Sequence, residues 1–179
     1  VIPDQILTES LVDEPRVEDG QAVADPQRDL AKIAVVERHL GTGEMGIGLV
    51  RGFGLRSGAL ASTFSHDAHN IVVVGVDDQD MARAIARLTE IGGGVVVVED
   101  RGVRAELPLP IAGIISAAPL DEVVAASEGC IEAAANLGCA LASPFQTMAF
   151  LALSVIPSLK LTDQGLVDVD RFELVPLEA

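Results

Sequence analysis

The chain has 179 residues, about the length of one ordinary domain with a tail. Hydrophobic residues make up 49%, enough to bury a core, but aromatics are only 3%, with no Trp and no Tyr, so the core must be Val, Ile, Leu and Ala. This composition argues against binding single-stranded nucleic acid, which uses aromatic stacking platforms, and a net charge of −15 repels polyanions and anionic membrane.

Cys130 and Cys139 lie nine positions apart in a stretch that reads as helical. Nine helical residues span roughly 13 Å, too far for a disulfide. Both are expected to be reduced packing residues of a cytoplasmic protein. No apolar run is long enough to span a membrane, and no signal peptide is visible. The sequence opens Val1-Ile2-Pro3 without an initiator Met, which suggests an excised domain or fragment.

In chain order, residues 1–29 read as an acidic linker or edge segment broken by Pro3, Pro15 and Pro26. The ordered domain is expected over 30–179. Lys32–Arg38 reads as a strand. Ile47–Val50 and Gly58–Thr63 read as short strand pieces separated by tight turns. Ile71–Val74 is a continuous apolar run, consistent with a strand buried on both faces. Asp77 or Asp78 is expected to cap a helix with Met81, Ala84, Ile85, Leu88 and Ile91 at helical spacing, stopped at Gly92–Gly94.

Val95–Val98 reads as another buried strand, and Val103–Leu107 as its hairpin partner across Asp100-Arg101-Gly102. A long helix follows Pro119, with an expected stripe of Leu120, Val123, Val124, Ser127, Ile131, Ala134 and Ala135, ending at Gly138. Ser143-Pro144 opens a shorter helix through Leu153. Val155–Leu161 carries Pro157 and is expected at a sheet edge. Leu166–Val169 and Phe172–Leu177 read as extended pieces. The expected class is α/β (α+β): a layered domain with a mixed β-sheet packed against Ala-rich helices.

The block from Val36 to Asn70 concentrates the chemistry. It holds His39, His66 and His69, the only histidines, and seven of the 17 glycines, a costly composition for packing alone. Gly41, Gly43, Gly52 and Gly54 are candidates for close backbone approach. Gly41, Gly43 and Gly46 match a Gly-x-Gly-x-x-Gly string, but no helix pattern follows, so a dinucleotide site is rejected. No Walker loop, Gly-x-Ser-x-Gly elbow or His-Glu-x-x-His helix is present.

Ser65-His66-Asp67-Ala68-His69-Asn70 puts two imidazoles and a carboxylate within four residues, just before a buried strand. His66, His69 and Asp67 suit a divalent metal if the backbone turns there. His66 also suits a general base oriented by Asp67. Hydrogen bonding that merely ties down the loop is the competing reading. Arg38 is a candidate anion ligand, with a surface ion pair the favoured alternative.

Longer strings go further. Asp25-Pro26-Gln27-Arg28-Asp29-Leu30, Lys32–His39, Gly41-Thr42-Gly43 and Gly46–Leu55 are followed by Gly58–Thr63 and Ser65–Asn70. Leu107–Gly113 and Leu159–Asp163 complete the set. Together they resemble the C-terminal domain of bacterial adenine deaminase, of the amidohydrolase superfamily, over residues 25–170.

The resemblance implies hydrolysis of adenine to hypoxanthine and ammonia at a binuclear manganese or iron centre. It places that centre in a (β/α)₈ barrel N-terminal to this region. The barrel and its His-x-His motif are absent here, so the isolated chain is expected to be inactive. Its implied partners are the barrel, adenine as the parent's substrate, and further copies in a homo-oligomer. Ser65, His66, Asp67, His69 and Asn70 are the residues expected to face the active site. The alternative is a non-catalytic oligomerisation or interaction module with a structural His cluster.

Overall fold

A computed structural model describes residues 1–2 and 5–177. Strands β1 (Arg16–Glu18) and β2 (Gln21–Val23) form a small hairpin within the acidic N-terminal segment. A 3₁₀ turn at Pro26–Arg28 leads into β3 (Leu30–Val36), β4 (Met45–Arg51), β5 (Ala59–Ser62) and β6 (Ile71–Gly75). Then come α1 (Asp78–Glu90), β7 (Gly94–Glu99), β8 (Gly102–Pro108), α2 (Leu120–Asn136) and α3 (Pro144–Leu151). Strands β9 (Leu159–Thr162), β10 (Gly165–Asp168) and β11 (Glu173–Val175) close the described chain.

The central sheet has six strands in the order β4-β3-β6-β5-β7-β8. The layered α+β class is as expected, with one correction. Every pairing in this sheet is antiparallel, so it is a purely antiparallel sheet rather than a mixed one. Hydrophobic runs alone cannot reveal strand direction, because a sheet covered on both faces reads as continuously apolar either way.

The covering is visible residue by residue, since side chains alternate along a strand. Ala34, Ala61, Val73 and Val96 pack with Met81, Ala84 and Leu88 of α1. Their neighbours Ile33, Val35, Leu60, Val72 and Val97 face the other way, onto Cys130 and Ala134 of α2 and Met148 of α3. Each buried aliphatic side chain is worth roughly 1.5–3 kcal/mol.

Asp77 caps α1 as expected, its carboxylate accepting the Gln79 and Asp80 amides, both at 2.9 Å. The expected stripe on α2 needs correction. Leu120, Val124, Ile131 and Ala135 are exposed, and the helix buries Cys130 and Ala134, with Leu137 just beyond. The Ala-rich helix has two apolar faces, and only one meets the sheet. Strand β9 is an edge strand, beginning at Leu159 rather than Val155, and β10 lies centrally between it and β11.

This small sheet packs over β4 at Gly46, where an added Cβ would sit 2.0 Å from the Thr162 carbonyl oxygen. Lys160 is 2% exposed, and its ammonium donates to the Ile6 carbonyl at 2.9 Å, holding the N-terminal segment against this sheet. Burial pushes that ammonium down to about 8. Among the described residues, no helix is long and apolar enough to cross a membrane.

Candidate functional site

Antiparallel pairing sorts the connections of the central sheet to two ends. At one end lie the β3–β4, β5–β6 and β8–α2 loops. At the other lie the β4–β5 connection and the β7–β8 turn. All three histidines fall at the first end. Gly41 and Gly43 are also there, in open turns at positive φ. Gly52 and Gly54 are at the opposite end, where their N–H groups donate to the Asp29 carboxylate at 2.9 and 2.6 Å. The Val36–Asn70 block is therefore split between two ends.

The Ser65–Asn70 loop folds back on itself. The His69 amide donates to the Ser65 carbonyl at 2.7 Å, and the Ser65 amide donates to His69 Nδ1 at 3.3 Å. That second bond leaves the neutral ring's proton on Nε2. Burial, then the nearby His66 and Arg38 charges, pushes the His69 imidazole below its usual value. His69 is thus a neutral N–H donor, held at φ 53°.

His66 is anchored through its amide to the Ala149 carbonyl of α3 at 3.0 Å. Its ring lies between Phe64 and Phe150, with centroids 5.2 and 4.9 Å away. Asp67 is exposed at the loop tip. Ser65 and Asn70 are 0% and 4% exposed, yet Ser65 Oγ and Asn70 Oδ1 have no hydrogen-bond partner. An orphaned buried polar group costs about 1–3 kcal/mol, so two in one short loop call for a function.

Among the described residues Arg38 pairs with no carboxylate. Its guanidinium donates to the carbonyls of His69 and Ala112, 31 and 74 residues away in sequence. Gly113 lies against its planar face, where a Cβ would meet the guanidinium at 2.7 Å. His39 Nε2 bonds the Ala68 carbonyl at 2.6 Å, and Thr63 Oγ1 donates to the Gly113 carbonyl at 2.5 Å. The three loops are thereby locked into one platform. No local signal in the sequence announces these long-range bonds, nor the packing of Phe64, edge-on, and Phe150 against His66.

The candidate metal set does not fit metal ligation. The His66 and His69 ring centroids are 6.3 Å apart, and His69 Nδ1 accepts a backbone proton. A ligating histidine instead donates its second ring N–H. Among the described residues, no group of three or more His, Cys, Asp or Glu is arranged to hold an ion. Cys130 and Cys139 are buried and unbonded, and burial pushes the Cys130 thiol up to about 12, far from a reactive thiolate. Two open clefts of about 400 and 510 Å³ lie elsewhere, one beside Asp77 and one beside Arg171.

Residues 5–173 match the family model described as the adenine deaminase C-terminal domain. The chain is 56% identical over 177 residues to an adenine deaminase of Oleidesulfovibrio alaskensis, covering 99% of this chain and 31% of that protein. It is 51% identical to one from Methanothrix thermoacetophila, again over 99% of this chain and 31% of the relative. With one from Cereibacter sphaeroides it shares 53% over 98% of this chain and 31% of that protein. The chain thus spans just under a third of the length of the curated relatives it matches, and it belongs to the adenine deaminase C-terminal domain family.

Proposed function

We propose that this chain is the C-terminal domain of an enzyme that hydrolyses adenine with water to hypoxanthine and ammonia, and that it is accessory to the catalytic part. The observation that carries the reading is the match along the whole chain to adenine deaminases more than three times its length. In this reading the divalent ion, and the barrel that would hold it, belong to the rest of the parent.

Within this reading, the Ser65–Asn70 loop faces the active site. The loop carries a neutral imidazole donor at His69, an exposed carboxylate at Asp67 and two unsatisfied buried polar atoms. These groups suit orienting a planar heterocycle and excluding water from it better than supplying a nucleophile.

Asp67→Ala and His69→Ala in the full-length enzyme test this. Hypoxanthine formation should fall at least ten-fold while bound metal stays at the wild-type level. Unchanged turnover would remove the loop from the active site, and lost metal would make it part of the metal centre.

One observation favours a second role in assembly. Val124 and Ile131 line the outer face of α2, away from its first turn, and are exposed. A Val124→Asp enzyme that falls to a lower oligomeric mass would assign that face to a homo-oligomer contact.

A further inference from the structure

The end of the central sheet that carries the histidines presents Leu40 (83% exposed), Phe64 (38%), Ile111 (48%), Ile115 (53%) and, at the first turn of α2, Leu120 (78%). At the opposite end Phe53 and Leu55 are turned into the core, while Val103 (36%) is exposed beside the β7–β8 turn. Single exposed hydrophobics are ordinary on a soluble surface, whereas several on loops joined at one end of a sheet mark a contact surface.

These residues sit on loops that are already fixed. Arg38 bonds both the β5–β6 and β8–α2 loops, His39 bonds Ala68, and Thr63 bonds Gly113. The Glu37 carboxylate holds the β3–β4 loop by accepting the amides of His39, Leu40 and Thr42. A surface held this way loses little conformational freedom on docking. Its centre contains the two buried unsatisfied atoms, Ser65 Oγ and Asn70 Oδ1.

We infer that this three-loop platform is the seat on which the remaining polypeptide of the parent enzyme docks. The occupant is argued from length, since about two thirds of each matched relative lies outside the region this chain covers. The inference rests on the adenine deaminase reading and names the surface through which the domain meets its partner. It makes the platform an intrachain contact, with the Ser65–Asn70 loop at its centre.

Hydroxyl-radical labelling of the full-length wild-type enzyme, read by mass spectrometry, tests it without any substitution. Leu40, Ile115 and Leu120 should label at least ten-fold more slowly than the same residues in the unfolded chain. That protection should persist on dilution to the lowest measurable concentration, because a covalently connected partner is not lost by dilution. Labelling at the unfolded rate would overturn the inference. So would protection that vanishes on dilution, which would assign the platform to a second copy. Adenine turnover of the same preparation is measured alongside. Absent turnover would remove the functional reading while leaving the docking result standing, and turnover with an unprotected platform would do the reverse.

Discussion

Glu37 shows how one side chain organises a loop. Its carboxylate accepts the backbone amides of His39, Leu40 and Thr42 and the Thr42 hydroxyl. These bonds, the Leu40 amide foremost, hold its carboxyl down to about 2 from 4.5. A carboxyl depressed on folding contributes stability that is complete above its unfolded value and lost as pH falls through its folded value. The β3–β4 loop should therefore hold above pH 4.5 and loosen between pH 4.5 and 2. In Glu37→Gln that pH dependence should disappear, checked by amide exchange of residues 39–42 across the range; an identical profile in both proteins would remove Glu37 from this role. Little of this was legible beforehand. Glu37-Arg38-His39 reads as surface charge because a sequence does not show which distant carbonyls will arrive beside a guanidinium. The Ser65–Asn70 cluster was legible as a polar loop before a strand. The positive φ of His69 and the orphaned Asn70 oxygen were not, since both depend on how the loop packs on α3.

The elements divide by whether they carry strong local signals. Strand β6 and helix α1 are plain in the sequence, one as an unbroken run of β-branched residues and the other as a capped amphipathic stretch. Helix α2 is plain in extent but not in orientation, because alanine on all sides leaves the choice of buried face to tertiary packing. The glycines divide in the same way. Gly46 is pinned by the Thr162 carbonyl, whereas a Cβ at Gly129 in α2 would meet nothing within 4 Å. Gly46→Ala should destabilise the domain by about 3 kcal/mol, since the small sheet must be pushed off β4. Gly129→Ala should stabilise it by roughly 0.5–1 kcal/mol through helix propensity alone. Urea denaturation of both variants checks the pair, and equal shifts of the same sign would contradict the assigned packing.

The whole molecule is a sheet with both faces covered and its two ends unequal. At one end Asp29 accepts the Gly52 and Gly54 amides and Phe53 is turned into the core. The other displays polar loops beside exposed apolar side chains. The fold class followed from apolar runs and helix caps. The inequality of the ends did not, because it depends on the antiparallel strand order that brings residues 37–44, 63–70 and 109–119 together. That end gives the domain its proposed part in adenine hydrolysis. The most direct measurement is kcat/KM for adenine in the full-length enzyme carrying His69→Ala, beside His69→Asn, which tolerates positive φ and keeps an N–H donor. The account predicts at least a ten-fold loss for Ala, substantial recovery for Asn, and unchanged metal content in both. Wild-type kcat/KM in His69→Ala would contradict it.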